Sequence, residues 1–269
     1  MAETLKALIL GDIVGQSGCR ALFIGFSDLV RRLGADLVVA NAENAAEGYG
    51  LTPEIAERLF KSGVHVLTSG NHIWQKREIF LSLQTNDFLL RPENYPVLPA
   101  PNTVPGKGHC IVTIRDMPVL VINLEGRVNL SPLRDPFQVA KSILKQFHGR
   151  ATISIIDFHA EAVEEKEALG VFLDGQTSAV VGTHTHVQTA DERILPHGTA
   201  YITDIGMTGC VDSVIGMKKE TAILRSLSQM PLKLEVDNSP AEIMGVLVEI
   251  NCSTGKAIRI ERVRQRSPV

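Results

Sequence analysis

Seven short apolar runs rich in Val, Ile and Leu recur along the chain: ALILGD, DLVVANAEN, VHVLTSGNH, CIVTI, PVLVINLEG, TISIIDFHA and SAVVGTHTH. Such near-continuous apolarity reads as strands buried on both faces, because a strand with one wet face would alternate. Helical patterns separate several of the runs. In TPEIAERLFKSG, Thr52 stands at the N-cap position, Pro53 suits the first turn, and Ile55, Leu59 and Phe60 share a face. The alternation predicts an α/β chain with helices on either side of the strands, and a single sheet and a two-sheet sandwich both satisfy it. With 269 residues and 44% hydrophobic content the chain can bury a large core, so one unit spanning residues 1–269 is expected.

One segment breaks the pattern. Arg91 to Gly108, RPENYPVLPAPNTVPGKG, concentrates five prolines with Gly and Asn and must be irregular. Residues 91–130 are therefore expected to form a small cap or oligomer-contact subregion rather than a domain boundary, and a homo-oligomer is the expected assembly. Near the C-terminus, AEIMGVLVEINCSTGKAIRIERV predicts two strands joined by a Ser-Thr-Gly-Lys turn.

Composition narrows the partners. Lys+Arg of 27 against Asp+Glu of 30 gives a formal charge of -3, with no block of like charge to attract a polynucleotide or an anionic membrane. A phosphate would have to be held by a local site, either a metal or a cluster of backbone amides. The first apolar run is too short for a signal segment and no stretch reaches the roughly 18 apolar residues of a membrane span, so a cytoplasmic location is expected. Cys19, Cys110, Cys210 and Cys252 are scattered without a C-x-x-C pair, and free thiols are expected.

Polar residues gather after the strands. Asp12 ends the first, Glu43 and Asn44 end the second, Asn71 and His72 follow the third; His159 ends a later one, and His184 and His186 another. Taken singly, each has an ordinary structural reading as a turn, a cap or an Asx motif. Taken together they are a set that core packing does not require, placed where an open α/β sheet binds ligands. Two carboxylates, three imidazoles besides His72 and amide oxygens, without a thiolate, suit borderline or harder divalent ions such as iron, manganese, zinc or cobalt.

In an extended strand His184 and His186 would point to the same side about 6–7 Å apart, each reaching one of two ions bridged by Glu43. Such a centre keeps net positive charge, binds a phosphoryl group and acidifies water, and His72 is then free to protonate the leaving oxygen. His65 reads as a satisfied strand residue; His109, His148 and His197 read as exposed or structural. Glu161, Glu164, Glu165 and Glu167 read as a solvated helix face complementing the helix dipole. Trp74 and Tyr201 read as packing residues.

GDIVG, NAENAAEGYGL, SGNHIW, LRPENYP, PGKG, INLEGR, DFHAEA, SAVVGTHTHVQTADERILP and GTAYITDIGMTG together resemble the bacterial YmdB-like metallophosphoesterase family, from about Leu8 to about Met217. The resemblance implies a calcineurin-like αββα sandwich, a dinuclear iron or manganese site and phosphodiesterase activity, including on 2',3'-cyclic nucleotides. It implies one metal on Asp12, Glu43 and His186 and the other on Glu43, Asn71, His159 and His184. His72 takes the acid or phosphate-contact role, and Asn44 orients substrate or a ligand. Three positions depart from the wider superfamily: no histidine follows in Asp12-Ile13-Val14, Glu43 stands where an aspartate usually bridges, and Ile73 replaces an acidic neighbour of His72. The alternatives to a phosphodiesterase are a nucleotide phosphomonoesterase and a metal-dependent nucleotide-binding regulatory module.

Overall fold

A computed structural model of the chain describes residues 3–267. Its first sheet runs in the order β2 (Asp12–Ile13), β11 (Met207–Cys210), β12 (Ala241–Asn251), β1 (Thr4–Leu10), β3 (Leu37–Asn41) and β4 (Val66–Thr68), and β13 (Ala257–Arg266) also pairs with β12. The second runs β5 (His109–Ile114), β6 (Met117–Glu125), β7 (Ile153–His159), β8 (Ala179–Thr183), β10 (Ala200–Ile202) and β9 (Arg193–Ile194). β1, β3 and β4 are mutually parallel, as are β6, β7, β8 and β10.

Strand periodicity divides the core into three layers. In β1, Ala7 and Ile9 pack with Val119, Val121, Ile155 and Val181 of the second sheet, forming the interface between the sheets. Leu8 and Leu10 point the other way, toward Leu22 of α1 (Gly15–Phe23), Phe26 and Leu29 of α2 (Phe26–Leu33), Leu59 of α3 (Pro53–Lys61) and Leu83 of α4 (Ile79–Thr85). In β7, Ile153 and Ile155 face the first sheet, while Ile156 and Phe158 face Ile143 of α5 (Pro136–Gln146) and Leu169 of α6 (Val163–Phe172). Helices, sheet, sheet and helices make the calcineurin-like αββα sandwich. The last helix, α7 (Lys219–Ser228), buries only Ala222. Among the described residues, no helix is long and apolar enough to cross a membrane.

Local signals act as read in α3, where Thr52 Oγ1 accepts from the Ile55 amide at 3.4 Å and Pro53 opens the helix. The β12–β13 hairpin closes through the expected turn, which Asn251 organises: its Oδ1 accepts from the Ser253 and Thr254 amides at 3.0 and 3.1 Å.

The irregular stretch 91–108 is pinned by Asn94, whose amide donates to the Glu125 carbonyl at 2.8 Å and whose oxygen accepts from the Glu125 amide at 2.9 Å. Residues 109–125 of the 91–130 stretch form the β5–β6 hairpin. Two histidines keep the structural roles read for them, although His65 does so outside a strand. His65 lies just before β4 and its Nδ1 accepts from the Val38 amide at 3.0 Å, while His109 opens β5 with Nδ1 3.2 Å from Glu93 Oε2. The four cysteines are free.

Ile9 is buried between the two sheets, so Ile9→Ala leaves a void that rigid neighbours on both sides cannot close. A loss of about 2–5 kcal/mol is expected, read as a lower urea midpoint at unchanged slope.

Candidate metal centre

Parallel strands deliver their carboxyl ends to one edge of the sandwich, and the polar residues meet there. Glu43 and Asn44 follow β3, Asn71 and His72 open a 3-10 helix after β4, His159 ends β7, and His184 and His186 follow β8. Asp12 does not end the first strand as read: β1 stops at Leu10, and Asp12 begins β2, held in register opposite Met207 of β11.

Donor atoms crowd around His159. Its Nε2 lies 3.0 Å from Glu43 Oε1, 3.2 Å from Asn71 Oδ1 and 3.0 Å from His184 Nδ1. One N–H cannot serve all of these partners, whereas a cation among them could. Ligand atoms of Glu43, His159 and His184 lie within 4.8 Å of one another. A second group is built around the Asn44 amide nitrogen, which is 3.3 Å from Asp12 Oδ1, 3.3 Å from Glu43 Oε1 and 3.1 Å from His186 Nε2. Glu43, fully buried, belongs to both groups. The donor set, carboxylate, imidazole and amide oxygen without thiolate, fits divalent metal ions.

Charge is arranged around that carboxylate. Burial alone would raise Glu43, but His159 and His72 hold it well below the usual carboxylate range. Burial opposes charge on His159 too, yet the Glu43 carboxylate outweighs it and the imidazole is raised to about 9. His184 goes the other way, lowered to about 3 by burial and by His159. Burial raises Asp12.

His184 and His186 reach the two groups by a route different from the expected extended strand. β8 ends at Thr183, and both residues take positive φ, 106° and 64°, so the chain turns between them. His184 packs edge-on against His159 with ring centroids 4.7 Å apart, whereas His186 points toward Asp12 and donates from Nδ1 to the Ile215 carbonyl at 2.8 Å. The turn is anchored by Asp204, which accepts from the Thr185 amide at 3.1 Å and pairs with buried Lys166 at 2.8 Å.

Several supporting residues escaped the sequence reading. His159 Nδ1 is 3.0 Å from Thr183 Oγ1, which donates to Asp157 Oδ1 at 2.7 Å, a chain that leaves Nε2 facing the other donors. Burial raises Asp157 to about 6. Its signal was its place two residues before His159, on the same strand face. Glu161 precedes α6 and meets His184 Nε2 at 2.9 Å, and Glu165 is buried, accepting from the Arg127 and Val128 amides. Glu165 thus departs from the solvated face assigned to that acidic run, whereas Glu161 is exposed as read but faces His184. Gly70 is needed for proximity: a Cβ there would lie 2.1 Å from the His159 ring.

A family model described as YmdB-like protein matches residues 8–263. The chain is 44% identical over 259 residues to the 2',3'-cyclic-nucleotide 2'-phosphodiesterase of Bacillus subtilis strain 168, covering 96% of each chain. Among solved structures it is similar to a novel phosphatase from Mycoplasma pneumoniae, with a TM-score of 0.91 and 34% identity over 100% of this chain and 96% of that one. A hypothetical protein from Thermus thermophilus superposes with a TM-score of 0.89 at 36% identity, covering 98% of this chain and 100% of that one.

Two outcomes follow from this geometry. Gly70→Ala should displace His159 and weaken manganese binding at least about tenfold, measured by titration calorimetry, with the thermal midpoint showing whether the fold survives. Because the Glu43 carboxylate raises the His159 imidazole to about 9 against the effect of burial, an ion bound through His159 would have to displace that proton. Affinity should therefore fall about tenfold per unit as pH drops below that value; a flat profile would contradict this protonation.

Proposed function

The chain belongs to the YmdB-like family, and from that premise we propose that it is a metal-dependent phosphoric ester hydrolase that opens phosphodiesters, 2',3'-cyclic nucleotides among them. The observation that carries this reading is the cleft over the donor set. It is lined by Glu43, Asn44, His72, Glu161, His184 and His186 together with apolar residues, and among the described residues no Lys or Arg lines it. An anionic substrate therefore needs cations that the side chains do not supply.

In this reading Glu43, Asn71, His159 and His184 hold one ion, Asp12, Glu43 and His186 the other, and iron or manganese is the metal. Bound there, the ions would offset phosphoryl charge and acidify water. The chain's own contribution to proton transfer is His72. Its Nδ1 donates to Asn44 Oδ1 at 2.8 Å, and its side chain is 26% exposed toward the cleft. That orientation leaves Nε2 to give a proton to the ribose oxygen as its bond to phosphorus breaks and a water oxygen bonds in its place. The carboxylate beside His72 is Glu43, 3.2 Å away, rather than a residue next in sequence. Ile73 at that position is buried.

The phosphatase from Mycoplasma pneumoniae makes phosphomonoester hydrolysis the second reading; rates on 2',3'-cyclic AMP and on adenosine 3'-monophosphate separate the two. Glu43→Gln should lose both metal loading and hydrolysis, checked by elemental analysis beside product formation. His72→Ala should keep its metal and lose about 10²–10⁴-fold in kcat. Full activity in either variant contradicts the assignment.

A further inference from the structure

The cleft of about 300 Å³ has a second kind of lining. Besides the polar donors, its residues are Gly48, Tyr49, Thr185, Ile215, Met217 and Leu234. Segment 214–218 closes on itself, with Val214 and Met217 exchanging backbone hydrogen bonds at 2.9 Å, and is tied to 234–237, since the Lys218 amide donates to the Glu235 carbonyl at 2.8 Å and the Asp237 amide to the Gly216 carbonyl at 2.9 Å. Gly48, at φ +83°, lets Met217 approach, since a Cβ there would lie 3.1 Å from Met217 Cε. Ile215, 45% exposed, carries the carbonyl that orients His186, so this apolar lining is registered to the donor set. Tyr49 stands edge-on to His72 with ring centroids 5.1 Å apart.

We propose that Tyr49, Met217 and Leu234 seat the nucleobase of a nucleotide whose phosphate lies at the donor set. The inference rests on the reading of the preceding subsection and deepens it. An apolar surface beside a phosphoryl site rewards a flat heteroaromatic ring, which stacks without regard to sequence, over a hydrated sugar or glycerol. The lack of lysine and arginine among the described lining residues gives a polynucleotide backbone nothing further to hold.

The test uses manganese-loaded full-length chain and two probes, adenosine 3'-monophosphate and glycerol 2-phosphate, which lacks a base. Titration calorimetry should show Leu234→Ser and Tyr49→Ala weakening the adenosine ligand about tenfold, the base-free ligand less than about twofold, and Tyr49→Phe restoring most of the loss. Equal weakening of both probes, or no weakening, overturns the base seat. Turnover of 2',3'-cyclic AMP is followed in the same samples. Base-dependent binding without turnover supports the seat and counts against the hydrolase reading; turnover with no base dependence of binding overturns the seat alone.

Discussion

Glu43 carries a negative charge, fully buried, in the seam where the two sheets end. Desolvation of such a charge is costly unless it is paired, and the contacts that compensate come from both sheets: His159 from β7 at 3.0 Å, and the His72 amide from the helix after β4 at 2.9 Å. The relative placement of the sheets, the 3-10 turn and the loop after β8 all serve this one carboxylate. Its position in both donor groups makes it the shared element of the centre.

Rigidity around that carboxylate comes from ordinary packing. The β1, β3 and β7 side chains alternate between the intersheet core and the helix layers, so a slip of one residue would turn each apolar set to the wrong side. The same alternation fixes Asp157 and His159 on one face, and Thr183 between them completes a hydrogen-bonded support. Such support lets a donor keep its orientation when metal arrives.

The seven apolar runs were legible because buried parallel strands leave continuous Val, Ile and Leu, and the strand-end residues were legible because polar groups there have no packing purpose. Less was legible where tertiary contact decides. β2, β10 and β11 are only two to four residues long and exist by pairing with strands distant in the chain. The turn at His184 and His186 has positive φ that no local pattern signals, and Asp157 and Thr183 read as strand interior until their neighbours are known. Glu165 looked like a solvated helix residue, and only the loop at 127–128 reveals its two backbone partners.

The most direct test of the shared carboxylate is electron paramagnetic resonance of the protein titrated with manganese. Two ions per chain with a spin-coupled spectrum, lost in Glu43→Gln, is the result predicted. A single ion, or two uncoupled ions unaffected by that substitution, would contradict a centre built on Glu43.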